Sequence, residues 1–183
     1  MKKTRMLLIG TAMLASLALV PLGAQGGKAM LTLISDAFST GGEIPKVHAY
    51  ANGNVSPPLS WSGAPSATMS FALVCDDPDA PMAGGWVHWV MWDIPATQGR
   101  LAQGVPAGMA LLPDSSRQGL NGWKEIGWGG PQPPSGTHHY SFRLFALDAR
   151  LGNLGDATRD NLVKKMKGHI LAQAELIGTF SAR

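Results

Sequence analysis

Three runs of this chain are apolar on both alternating faces, or nearly so: Met69 to Cys75, Trp86 to Ile94, and Tyr140 to Leu147. A strand with one face in water alternates apolar and polar residues. A continuous apolar run of strand length, rich in aromatic and β-branched residues, reads instead as a strand covered on both sides. The 23 Gly and 13 Pro are not gathered into a linker but punctuate short apolar runs. That spacing predicts a mainly β single domain.

Further elements follow from local rules. Ala29 to Ile34 is expected to be a first strand, and Ser56-Pro57-Pro58-Leu59-Ser60-Trp61 an extended segment entering the sheet, because its prolines disfavour helix. One helix stands out near the C-terminal end. Thr158 can cap it, Leu162 and Met166 share a face, and Gly168 can end it. From Ile170 to Phe180 small or apolar residues recur with period two, which predicts a terminal strand.

Residues 1–24 are set apart. Lys2, Lys3 and Arg5 precede an apolar stretch from Met6 to Val20, and Leu22 and Ala24 occupy the −3 and −1 positions of a cleavage site. This pattern is that of a secretory signal peptide, with an uncleaved anchor as the alternative. The stretch is short for a membrane span, which needs about 20 residues. The expected mature domain is 25–183, periplasmic or secreted, with no further span. Three of the 15 basic residues and none of the 12 acidic ones lie in the leader, so the remainder carries 12 of each. A nucleic-acid partner needs a clustered basic footprint, and the mature chain lacks one. The lone Cys75 cannot form an internal disulfide and reads as a small buried hydrophobe.

Polar groups beside these apolar runs need partners. Asp76-Asp77-Pro78-Asp79-Ala80-Pro81 ends one run, His88 lies within Trp86-Val87-His88-Trp89, and Gly129 to Tyr140 leads into a third. Alternation puts Phe71, Leu73, Cys75 and Asp77 on one face, Trp86, His88, Val90 and Trp92 on another, and His138 with Tyr140 on a third. His139 then points away from His138. Asp79 reads as a loop cap, and Asp77 as either a pocket residue or a turn cap. Two imidazoles, a phenol and a carboxylate suit a phosphate-like oxyanion. Gly129-Gly130-Pro131-Gln132-Pro133-Pro134 would form the rim, its glycines letting backbone N–H groups approach the anion and its prolines keeping the wall rigid. Zinc is chemically open to the same imidazoles and carboxylate. The anion reading is preferred, and neither metal nor cofactor is expected.

Asp77-Pro78-Asp79-Ala80-Pro81, Trp86-Val87-His88-Trp89, and Gly130-Pro131 through His138-His139-Tyr140 together resemble the phosphatidylethanolamine-binding protein family, nearest its bacterial, Raf-kinase-inhibitor-like branch. Ser56 to Trp61, Phe145-Ala146-Leu147-Asp148 and Gly168 to Ala172 agree with it. The resemblance implies an antiparallel β-sandwich with one or two short helices near the C-terminal end. It also implies an anion pocket of Asp77, His88, His138 and Tyr140 rimmed by Gly130 and Pro131. His139 stands where the family usually has Arg, so a salt bridge usual in the family is expected to be lost. The chain is expected to bind a small anion or phosphoryl group, such as a phospholipid head group, without catalysis. The alternative is an inhibitor, for example of a protease, that docks its partner at the pocket rim. A hydrolase reading would need a nucleophile, but Ser135 lies in a Pro/Gly loop without a fixed base.

Overall fold

The computed structural model describes residues 30–182. The expected leader lies outside these residues. Among those described, no helix is long and apolar enough to cross a membrane.

Among the described residues, eight strands form two antiparallel sheets. A three-stranded sheet has the order β1 (Thr32–Ile34), β2 (Leu59–Ser62), β5 (Arg100–Leu101). A five-stranded sheet has the order β6 (Arg117–Gln118), β4 (Trp86–Pro95), β3 (Ser70–Asp77), β7 (Thr137–Leu147), β8 (Ile170–Ser181). The three apolar runs are its central strands β3, β4 and β7. Their inward residues, including Phe71, Leu73, Met91, Phe142 and Leu144, form one core with Leu33, Leu59, Trp61 and Leu101 of the small sheet. Their outward residues Ala72, Val74, Val90, Trp92 and Leu147 form a second core with Leu151 and with Leu162 and Met166 of helix α1 (Arg159–Met166). Both faces are covered, which is why alternation vanishes in the sequence. Cys75 sits fully buried in the first core, where burial raises its thiol pKa well above the usual value.

The expected β-sandwich, C-terminal helix and final strand are all present. The Thr158 hydroxyl accepts the Asn161 N–H at 3.4 Å and caps α1. Two further helical turns, both 3₁₀, occur at Lys46–His48 and Tyr50–Asn52, far from the C-terminal end. Strands β5 and β6 were not expected. At two residues each, they leave no periodic signal.

The alternation rule fails on β4. Cys75 of β3 pairs with Trp89 and Asp76 with Val87, so His88 is the extra residue of a β-bulge. A bulge turns two successive side chains to the same side of a sheet. Trp89 and Met91 therefore belong to the inner core, while Val90 and Trp92 belong to the outer one. His88 shares a side with Trp89, not with Val90 as simple alternation predicts. The extra residue is fixed from the neighbouring loop, whose Gly129 N–H donates to the His88 carbonyl at 2.9 Å.

Candidate functional site

At the end of the sandwich where β3 stops, β7 begins and β4 bulges, a pocket of about 240 Å³ opens. Asp77, His88 and His138 line it together with Ala80, Pro81, Met82, Trp86, Trp123, Gln132 and Pro134. Three separate strands thus deliver the two imidazoles and the carboxylate to one cavity.

Each polar group is held from behind. His138 Nδ1 lies 2.7 Å from Asp77 Oδ2. A carboxylate only accepts, so the ring nitrogen donates. The other oxygen of Asp77 accepts the backbone N–H groups of Asp79 at 2.9 Å and Ala80 at 3.1 Å. Asp77 is therefore both turn cap and pocket residue; the two readings are not exclusive. His88 Nδ1 donates to the Gly129 carbonyl at 2.5 Å. Burial drives the His88 imidazole down from 6.5 to about 4, against the opposing pull of the Gly129 carbonyl and the Asp77 charge. His88 is consequently neutral at physiological pH.

Tyr140 lies behind His88. Its ring meets the His88 ring edge-on at 5.0 Å between centroids. Its hydroxyl is buried without a hydrogen-bond partner of ordinary geometry. Burial, then the Asp77 charge, pushes the phenol far above its usual range, so it remains protonated and able to donate. Tyr140 stands behind the imidazole and not in the lining of the pocket itself.

Only part of the expected rim reaches the pocket: Gln132 and Pro134 line it, whereas Gly130 and Pro131 do not. The Gly130 N–H is spent on Asn54 Oδ1 at 2.7 Å, and the Pro131 carbonyl accepts the Tyr50 N–H at 3.2 Å. A Cβ on Gly130 would sit 2.0 Å from the His48 carbonyl oxygen. Glycine is required there so that two backbones can approach, not so that an N–H can reach an anion.

The three aspartates separate as their crowding demands. Asp76 turns to the far face, where it pairs with Arg143 and, at 3.5 Å, with Arg159. Arg159 also donates to the Gly84 carbonyl at 2.8 Å and so ties down the loop that forms one pocket wall. Asp79 does not cap its own loop. It accepts the His139 backbone N–H at 2.8 Å and pairs with the His139 ring at 2.7 Å. Hydrogen bonding to His139 is the main force holding the Asp79 carboxyl below its usual value. Position 139 thus has a carboxylate partner for both its ring and its backbone N–H.

Two contributors were missed in the sequence, Trp123 and Met82; Ala80 and Pro81 lay within the run Asp76–Pro81 but were given no role of their own. Trp123 stacks on Tyr50 at 4.5 Å and meets the rings of Trp86 and His88 edge-on at 5.1 and 5.4 Å. Asn121 Oδ1 fixes its turn by accepting the N–H groups of Trp123 and Glu125, both at 3.0 Å. A tryptophan inside the turn Asn121-Gly122-Trp123 was the available signal, since an aromatic in a turn invites a wall or lid role. Among the described residues, no three of His, Cys, Asp and Glu converge to hold a metal ion.

An antiparallel β-sandwich with a histidine- and aspartate-bearing pocket at one end defines the class. The chain belongs to the phosphatidylethanolamine-binding protein family: the family's sequence model matches residues 34–181. It is 45% identical over 150 residues to a UPF0098 protein of Methanothermobacter thermautotrophicus, covering 82% of this chain and 98% of that one. A UPF0098 protein of Aquifex aeolicus is 41% identical over 159 residues, covering 84% and 90%. Among solved structures, a putative phosphatidylethanolamine-binding protein homologue of Chlamydia trachomatis superimposes with a TM-score of 0.77 at 36% identity, covering 85% of this chain and 99% of its own. Escherichia coli YbcL, described as a new member of the mammalian family, gives 0.77 at 32% identity, covering 85% and 100%.

Proposed function

We propose that this protein holds a small anionic group, a phosphoryl group above all, in the pocket between His88 and His138. On this reading it performs no chemistry on the group and works in the periplasm or outside the cell. The observation that carries the reading is the convergence of His138, backed by Asp77, and His88, backed by Gly129, on one open cavity. Each imidazole spends Nδ1 on a fixed partner and keeps Nε2 for a ligand. Preorganised polar groups in a largely apolar pocket are the usual make-up of a small-molecule site.

Support for a non-catalytic role comes from what surrounds the imidazoles. Ser135, the nearest sequence candidate for a nucleophile, is exposed and stands outside the pocket lining. The export reading rests on the basic and apolar leader.

The test is thermal or chemical denaturation with and without inorganic phosphate. A ligand at 100 times its dissociation constant adds about 2.7 kcal/mol to stability. His88→Ala and His138→Ala should each remove that gain. Equal stabilisation of the wild type and both variants would place the anion elsewhere and defeat the assignment.

A further inference from the structure

The hydrogen bonds behind the pocket specify more than its location. A carbonyl oxygen can only accept, so the 2.5 Å contact between His88 Nδ1 and Gly129 O puts the ring hydrogen on Nδ1. In the neutral ring Nε2 is then a bare lone pair. That nitrogen makes no hydrogen bond of ordinary geometry among the described residues; the Gly130 backbone also lies near the ring, and His88 lines the pocket. Neutrality follows from placement, because His88 is 2% exposed and its direct partner is an uncharged carbonyl.

The charged and titratable groups around His88 are Asp77 from β3 and His138 and Tyr140 from β7. Asp77 is committed to His138 and the Asp79 and Ala80 amides. Neither Lys nor Arg is among the residues that line the cavity. An anion entering here therefore meets, at His88, an acceptor rather than a cation.

We propose that the pocket selects an oxyanion that brings an acidic hydrogen or readily takes one up near neutral pH, and that this hydrogen bridges the ligand to His88 Nε2. This rests on the phosphoryl-binding reading and narrows it. Inorganic phosphate at pH 7.5 satisfies the requirement with its own O–H. A phosphate monoester, with a second pKa near 6, satisfies it by taking up one proton. Sulfate and a phosphodiester cannot, and leave two acceptors facing each other across a desolvated gap. Leaving a buried acceptor opposed in this way is expected to weaken binding about tenfold or more.

The experiment is isothermal calorimetry on the wild-type protein with inorganic phosphate, sulfate, methyl phosphate and dimethyl phosphate. Titrations at pH 7.5 are run in two buffers of different ionisation heat. Phosphate is expected to bind at least about tenfold tighter than sulfate, and methyl phosphate tighter than dimethyl phosphate. Methyl phosphate should take up close to one proton, and its affinity should fall about tenfold between pH 7 and pH 8. Sulfate binding as tightly as phosphate, with no proton uptake by any ligand, overturns the proposal and leaves the anion site standing. Failure of all four ligands to bind removes the phosphoryl-binding reading itself, and this inference with it.

Discussion

His88 makes the stability of this protein depend on pH in a way that can be worked out. Its imidazole sits at about 4 in the folded state against 6.5 for an ordinary histidine. Above pH 6.5 the ring is neutral in both folded and unfolded chains and contributes nothing. As pH falls, the unfolded chain takes up a proton that the folded state refuses, so stability drops until about pH 4. Each unit of pKa difference is worth 1.36 kcal/mol, so between pH 7.5 and 4.5 this residue alone should cost about 2–3 kcal/mol. His88→Asn removes the titrating ring but keeps an amide N–H able to donate to the Gly129 carbonyl. Urea denaturation of both proteins at both pH values isolates the effect, because every other titrating group is common to the two. The wild type is expected to lose about 2–3 kcal/mol more than the variant over this interval, with an unchanged denaturant slope. Parallel losses, within about 0.5 kcal/mol, would show that His88 is solvated or charged in the folded protein and refute the reasoning.

Other substitutions test the surrounding framework. Gly130→Ala should destabilise by about 3 kcal/mol in urea melts, because the new methyl meets the His48 carbonyl backbone; a change under about 1 kcal/mol would deny the close approach. Tyr140→Phe should leave the ligand-free protein as stable or raise its stability by about 1 kcal/mol, since the buried hydroxyl has no hydrogen bond of ordinary geometry. A clear loss in the same melts would mean that the hydroxyl is satisfied. His139→Ala should cost under about 1 kcal/mol in the same melts, because its ring contact with Asp79 is exposed to solvent. Leu162→Ala should cost about 2–5 kcal/mol by the same assay, since Leu162 is fully buried between α1 and the large sheet.

Much of the architecture was legible because it depends on local pattern. Apolar runs without alternation announced β3, β4 and β7, and the Thr158 cap with Leu162 and Met166 announced α1. Pocket candidates Asp77, His88 and His138 were legible as polar residues stranded beside those runs. The rim was not. Gly130 looks the same in sequence whether it faces an anion or, as here, the His48 carbonyl.

From the linear order of residues alone come the elements, their two-sided burial and the identity of the polar groups that must find partners. Each of these follows from side-chain chemistry and from the two periods of the backbone. Folding in three dimensions decided the direction each polar group faces. A single extra residue on β4 reverses a face, sends His88 to the inner side beside Trp89, and lets Gly129 choose which of its nitrogens remains open. Strand register and loop contacts between residues 41 positions apart set that outcome, and no local pattern encodes them.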